Sequence, residues 1–174
     1  MKNKIGLAQI FSWVSVLMIL VMIVMLFTPS WEYKTKEKDP ETNKRVEVTK
    51  TPSISDYVWF PKDHKDLKNQ YEKDYDTKMM INDEVTMPVL LMVLGIALGI
   101  FALIKSKTLI GPLSALALGA YSIYGYHASA FIKTASCWSR NVTVSYIVTA
   151  LSLVLVVTCI VMWALKKIKK AAKV

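Results

Sequence analysis

Two cysteines in 174 residues are too few for a disulfide scaffold or for a zinc site built from four thiolates. Acid is missing from most of the chain: all 13 Asp and Glu lie between Glu32 and Glu84. No GxSxG, HExxH, P-loop or GxGxxG pattern occurs, so no enzyme, cofactor or metal is expected. The long apolar runs contain no Asp, Glu, Lys or Arg. An ion-coupled pump normally places an ionisable residue near the bilayer centre, and that class is therefore not expected.

The apolar runs themselves dominate the chain. Hydrophobic residues make up 53% and mean hydropathy is +0.36, while charged residues still reach 20%. That combination excludes an ordinary soluble domain with one core. A helix needs about 20 apolar residues to cross a hydrocarbon layer of ~30 Å. Four stretches meet this requirement: residues 5–27, 87–104, 109–132 and 142–165. The first ends in LFTPSW without a small-x-small cleavage pattern, so it reads as an uncleaved anchor.

The net charge of +9 resembles a nucleic-acid binder until it is sorted by position. Residues 28–86 hold 13 acids and 11 bases, a net −2. Lys133 and Arg140 of the short loop 133–141 return +2. The remaining nine lysines sit in residues 1–4, in the turn 105–108 and in the tail 166–174. With four spans these nine share one side, which the positive-inside rule makes the cytoplasm. The expectation is a multi-pass protein of the cell membrane with both termini cytoplasmic and no nucleic-acid partner. Lys166, Lys167, Lys169, Lys170 and Lys173 are expected to meet anionic lipid headgroups.

Helices in lipid associate through small residues and polar contacts. Gly95 and Gly99 form a GxxxG pair in the second span. Gly111, Ala115, Gly119, Ser122, Gly125 and Ser129 line one face of the third. The expectation is that spans two and three pack on each other through these faces, with self-association through them as the alternative. Gln9, Ser12 and Ser15, and Ser145, Thr149 and Ser152, recur at helical spacing and read as polar contacts between helices. Met18, Met22 and Met25 read as packing. Trp31, Trp138 and Trp163 fall at headgroup levels, and Trp13, lying deeper, is expected between helices.

Residues 28–86 are too long for a plain connector. WEYKTK and RVEVTK alternate on either side of a polar, proline-containing stretch and predict a hairpin. SISDYVWF follows as a third strand or a short helix. Pro61 opens PKDHKDLKNQYEKDY, with Leu67, Tyr71 and Tyr75 at a helical repeat, and predicts an amphipathic helix. The fold class expected is thus an all-α four-helix transmembrane bundle with a small extracytoplasmic α+β domain. Asp63, His64 and Asp66 lie together but lack partners at ligand spacing and read as a solvated charge cluster. His127 reads as a packing residue at the interface. Cys137 and Cys159 are separated by roughly 33 Å of helix and cannot bridge within the chain.

Four spans with a long first and short second outer loop, TPSW at Thr28 to Trp31 and YVW at Tyr57 to Trp59 resemble the claudin and tetraspan superfamily. That family's paired first-loop cysteines are absent, and its Gly-Leu before the second Trp reads Tyr-Val. The resemblance implies a left-handed four-helix bundle with a small sheet on top, and adhesion or partner-subunit roles. The functional expectation is a non-catalytic accessory, adhesion or scaffold subunit that binds a membrane protein partner or a second copy. Trp31, Tyr57, Trp59 and Phe60 are the recognition candidates, or alternatively the core of the small domain. The other expectation is a subunit of an oligomeric channel or small-solute transporter, built around the polar faces of spans one and four.

Overall fold

The computed structural model describes residues 6–41, 43–60, 62–76, 78, 86–106 and 108–171. Lys2, Lys4, Pro61, Lys107, Lys173 and the stretch 79–85 lie outside the described residues, as does the side chain of Lys170.

Helix α1 runs over Leu7–Met25 and stops in a turn before Pro29. The hairpin follows as expected. Strand β1, Tyr33–Lys38, pairs antiparallel with β2, Arg45–Lys50, from Tyr33 opposite Lys50 to Lys38 opposite Arg45. At the hairpin end the Asp39 carboxylate accepts the Glu41 amide at 2.9 Å, and Asn43 takes a left-handed φ of 58°. Asp and Asn suit such turns because their short polar side chains bond the local backbone.

The segment after Pro52 resolves as a helix: α2, Ile54–Trp59. A capping box decides it. Ser53 Oγ accepts the Asp56 amide at 3.0 Å, and the Asp56 carboxylate accepts the Ser53 amide at 2.9 Å. The amphipathic helix is α3, Lys65–Asp74, four residues beyond Pro61, because the Asp63 amide bonds the Phe60 carbonyl at 3.0 Å in an intervening turn. Leu67 and Tyr71 are buried as the repeat implied, whereas Tyr75 is exposed.

Helix α4, Met87–Ile104, carries Pro88 in its first turn, where a missing N–H costs nothing. Helix α5 spans Ile110–Ala128, shorter than the stretch to residue 132. The chain bends at Ser129, whose hydroxyl accepts the Ile132 amide at 3.1 Å and caps the short α6, Ala130–Lys133. Helix α7 then runs over Trp138–Ala171, so the expected loop 133–141 shrinks to a few residues and Trp138 opens the helix.

The molecule is mostly helical with one two-stranded sheet. Among the described residues three helices are long and apolar enough to cross a membrane: α1, α4 and the Trp138–Lys169 part of α7. Helix α5 is of similar length but more polar, with serines, tyrosines and His127. It packs against α1, α4 and α7, and buries nine of its 19 residues where α1 buries four of its 19. A central helix meets neighbours on most sides and needs little apolar surface of its own.

The bundle is inside-out relative to a soluble domain. Ser12, Ser15, Ser114, Ser122, Ser145 and Ser152 are buried, whereas Leu17, Val93, Ile96, Val154 and Val157 are more than half exposed. Exposed apolar surface of that extent suits hydrocarbon rather than water. Trp13 belongs to this exterior at 56% exposure, which corrects its expected place between helices.

The small-residue faces pack within the chain, though on different neighbours than expected. A Cβ at Gly111 would lie 2.6 Å from Ser12 Oγ of α1, and one at Gly119 would clash with Thr149 Oγ1 of α7. Ala115, between them, is fully buried. Gly95 faces Ile23 of α1 as well as Leu118 of α5, and Gly99 faces Ile19 of α1. The α5 seam thus holds α1 and α7, while Gly125 alone among its glycines meets α4, at Met87. The Ser12 hydroxyl donates across to the Ala102 carbonyl at 2.9 Å. Ser15, Ser145 and Thr149 instead donate to carbonyls one turn back in their own helices.

Candidate functional site: the aromatic cap

Residues between α1 and α4 form a cap on one end of the bundle. Its base is knitted from three segments. The Ser30 amide donates to Pro52 O at 2.9 Å, and the Ser55 amide to Leu26 O at 2.9 Å. Ser136 donates both its amide, at 2.6 Å, and its hydroxyl, at 2.9 Å, to Ser30 O. Arg140 Nη2 donates to Thr28 Oγ1 at 2.6 Å, and Trp31 Nε1 to Thr134 Oγ1 at 3.2 Å. The short second connection is therefore part of the cap's foundation.

Phe131 is the hub above this base. Its ring stacks on Trp31 at 4.7 Å between centroids, and it meets Tyr57 at 5.0 Å and Tyr71 edge-on at 5.1 Å. Trp31 and Tyr57 also touch, at 5.9 Å. These four rings come from the segment between α1 and β1, from α2, from α3 and from α6, and all four are buried. Such pairs add about 0.5–1.5 kcal/mol each beyond their area burial. The sequence singled out Trp31 and Tyr57 but not their partner Phe131. Phe131 gave little signal, because it falls inside the apolar stretch 109–132.

A polar contact locks the hairpin to α3. The Tyr33 hydroxyl lies 3.0 Å from His64 Nδ1 and 3.4 Å from the Asp63 carbonyl. Thr35 Oγ1 donates to the Asp66 carboxylate. Burial, opposed by the Lys50 charge, pushes the Tyr33 phenol up. Burial and then Lys50 push His64 below its ordinary value. The hydrogen bond that Lys50 donates to the Glu37 carboxylate raises Lys50. Among the described residues no group of His, Cys, Asp or Glu is arranged to hold a metal ion.

The four recognition candidates divide. Trp31 and Tyr57 are 6% and 1% exposed and belong to the core. Trp59 and Phe60 are each 60% exposed at the C-terminal end of α2. Tyr75, tilted against Tyr71 with 4.7 Å between centroids, is a third exposed ring on the cap. Cys137 is buried, donating to Ser30 Oγ at 3.1 Å and accepting Asn141 Nδ2 at 3.5 Å. At the far end of the bundle Lys166, Lys167 and Lys169 are exposed along the last turns of α7. No family model, curated protein or solved structure matches this chain.

Proposed function

We propose that this chain is a non-catalytic four-span membrane protein whose cap faces outward and binds a membrane protein partner through Trp59 and Phe60. In this reading α1, α4, α5 and α7 all cross the bilayer, with both termini and the lysine-rich end of α7 in the cytoplasm. The cell membrane is its location. The observation that carries the reading is a pair of adjacent, 60%-exposed aromatic side chains on a rigidly capped helix. Large aromatics held on a fixed backbone bind at low conformational cost and recur as interface hot spots. The buried rings beneath them hold the platform still.

Two further features support the membrane arrangement. The exterior of the bundle is apolar, and lysines without acidic neighbours, Lys105, Lys166, Lys167 and Lys169, lie at the end opposite the cap. The claudin-like layout, with sheet and helices inserted between the first two spans, favours adhesion or subunit roles in the same way. The channel alternative required polar faces on α1 and α7 turned toward other copies. Ser12, Ser15, Ser145 and Ser152 of those faces are buried within the chain.

The test is cross-linking in intact membranes, comparing the wild type with Trp59→Ala/Phe60→Ala. Loss of one specific cross-linked species, with unchanged membrane level of the protein, supports the reading. An identical cross-link pattern in both overturns Trp59 and Phe60 as the contact.

A further inference from the structure

The bundle is sealed at the cap end and open at the other. Near the cap, α1 and α7 are joined through the Thr28–Arg140 and Ser30–Ser136 hydrogen bonds. Midway, Ser152 Oγ still reaches Met18 Sδ at 3.7 Å. In that sealed region the gap between Met22, Leu91 and Leu118 has a volume of only about 10 Å³. Beyond it the helices part around a cleft of about 660 Å³. Ala8 of α1, Leu109 at the start of α5, and Ile160, Met162, Trp163 and Lys166 of α7 line it.

Its chemistry changes along its length. Most of the lining is apolar, from Ala8, Leu109, Ile160 and Met162, with Thr108 and Cys159 beside them. The mouth is basic: Lys166 lines the cleft, and Lys167 Nζ sits 4.1 Å over the Trp163 ring. No Asp or Glu follows Glu84 in the sequence, and among the described residues no ion pair involves Lys166 or Lys167. A cleft of this size between helices, open to a bilayer, has room for an acyl chain. An apolar slot under uncompensated ammonium groups, beside a Trp at headgroup depth, matches one class of molecule in both shape and charge.

We propose that this cleft binds an anionic phospholipid, one acyl chain lying on Ala8, Leu109 and Ile160 and the phosphate on Lys166 and Lys167. The lipid completes the seam between α1 and α7 that protein atoms leave open. This assignment rests on the membrane-spanning reading above and adds to it a defined site.

The experiment uses the full chain, extracted from membranes in mild detergent, and native mass spectrometry after addition of phosphatidylglycerol or phosphatidylcholine of equal acyl length. One phosphatidylglycerol retained per chain, in preference to phosphatidylcholine, is expected. Ala8→Phe fills the apolar part of the cleft and abolishes that retention. Lys166→Ala, an exposed change that leaves folding intact, weakens it about fivefold. Brominated phosphatidylglycerol is expected to quench wild-type fluorescence more than that of Trp163→Phe. Equal retention of the two lipids, undiminished retention by folded Ala8→Phe, or equal quenching in the two proteins overturns the site. A dimer mass without lipid also overturns it, in favour of a second copy. The membrane reading fails separately, if the protein leaves the membrane in alkaline wash without detergent.

Discussion

The Tyr33 hydroxyl lies 3.0 Å from Nδ1 of His64, joining the first strand of the hairpin to the residue before α3. The contact suits a neutral imidazole that carries its proton on Nε2 and accepts at Nδ1. Burial, and after it the Lys50 ammonium, hold His64 below its ordinary value; Asp56 and Asp63 pull the other way without prevailing.

A pH dependence of cap stability follows. In the unfolded chain the imidazole takes up its proton near about 6.5, and in the folded cap only at lower pH. Between those values the unfolded state binds more protons, so stability falls as pH falls. Thermal melts of the detergent-solubilised protein should show a midpoint that is flat above neutrality and declines below about pH 6.5. His64→Gln keeps an acceptor without a titrating ring, and it should remove the decline in that window. A decline of equal size in the variant would assign the effect to another group.

Phe131 and Trp59 should behave oppositely. Phe131→Ala leaves a cavity among Trp31, Tyr57 and Tyr71, and large-to-small changes of this kind cost about 3–5 kcal/mol. Trp59→Ala removes an exposed ring and should change stability by no more than about 0.5 kcal/mol. Chemical or thermal unfolding of the purified variants separates the two. Partner cross-linking should be lost in both, through an unfolded cap in the first case and a missing contact in the second.

What the sequence disclosed and what it hid have separate physical origins. Periodicity and apolar length report on a residue's own surroundings, so the hairpin, the amphipathic α3 and the apolar helices were legible. Capping also left a trace: Ser53 and Asp56 spell the box that makes α2 a helix rather than a strand. The bend at Ser129 left none, since neither Gly nor Pro marks it and a serine hydroxyl bond to Ile132 produces it. The seam on α5 was visible as a row of small residues, but small size does not name the neighbour. Ser12 and Thr149 approach Gly111 and Gly119 because α5 sits at the centre, a tertiary fact. Trp59 and Trp31 likewise look alike in sequence, but the end of α2 turns Trp59 outward while Trp31, between α1 and β1, stacks on Phe131.

Orientation can be read with a single introduced thiol. Cys137 is buried and should not react with an impermeant maleimide in intact cells, despite lying beside the cap. Lys44→Cys places a thiol on the exposed end of the hairpin. It should label in intact cells, against an unlabelled wild-type background. Labelling only after permeabilisation would put the cap inside and reverse the assignment of every loop.

The glycines of the bundle offer a graded test of packing. A methyl at Gly111 would stand 2.8 Å from the Cα of Ser12, so a backbone must move, and the Ser12–Ala102 hydrogen bond lies on the same helix face. At Gly119 the nearest obstacle is the Thr149 hydroxyl, with the Thr149 amide nitrogen at 3.3 Å behind it. Rotation of Thr149 relieves only the first of these. At Gly99 the nearest atom is Ile19 Cγ2 at 3.6 Å, an ordinary contact. Overpacking costs about 1–3 kcal/mol, whereas an alanine without a clash gains about 0.4–1 kcal/mol by restricting the unfolded chain. The expected order of melting midpoints is therefore Gly99→Ala at or above wild type, then Gly119→Ala, then Gly111→Ala lowest. If the GxxxG pair of α4 instead served self-association, Gly99→Ala would lower the oligomer mass in detergent while leaving the monomer's melt unchanged.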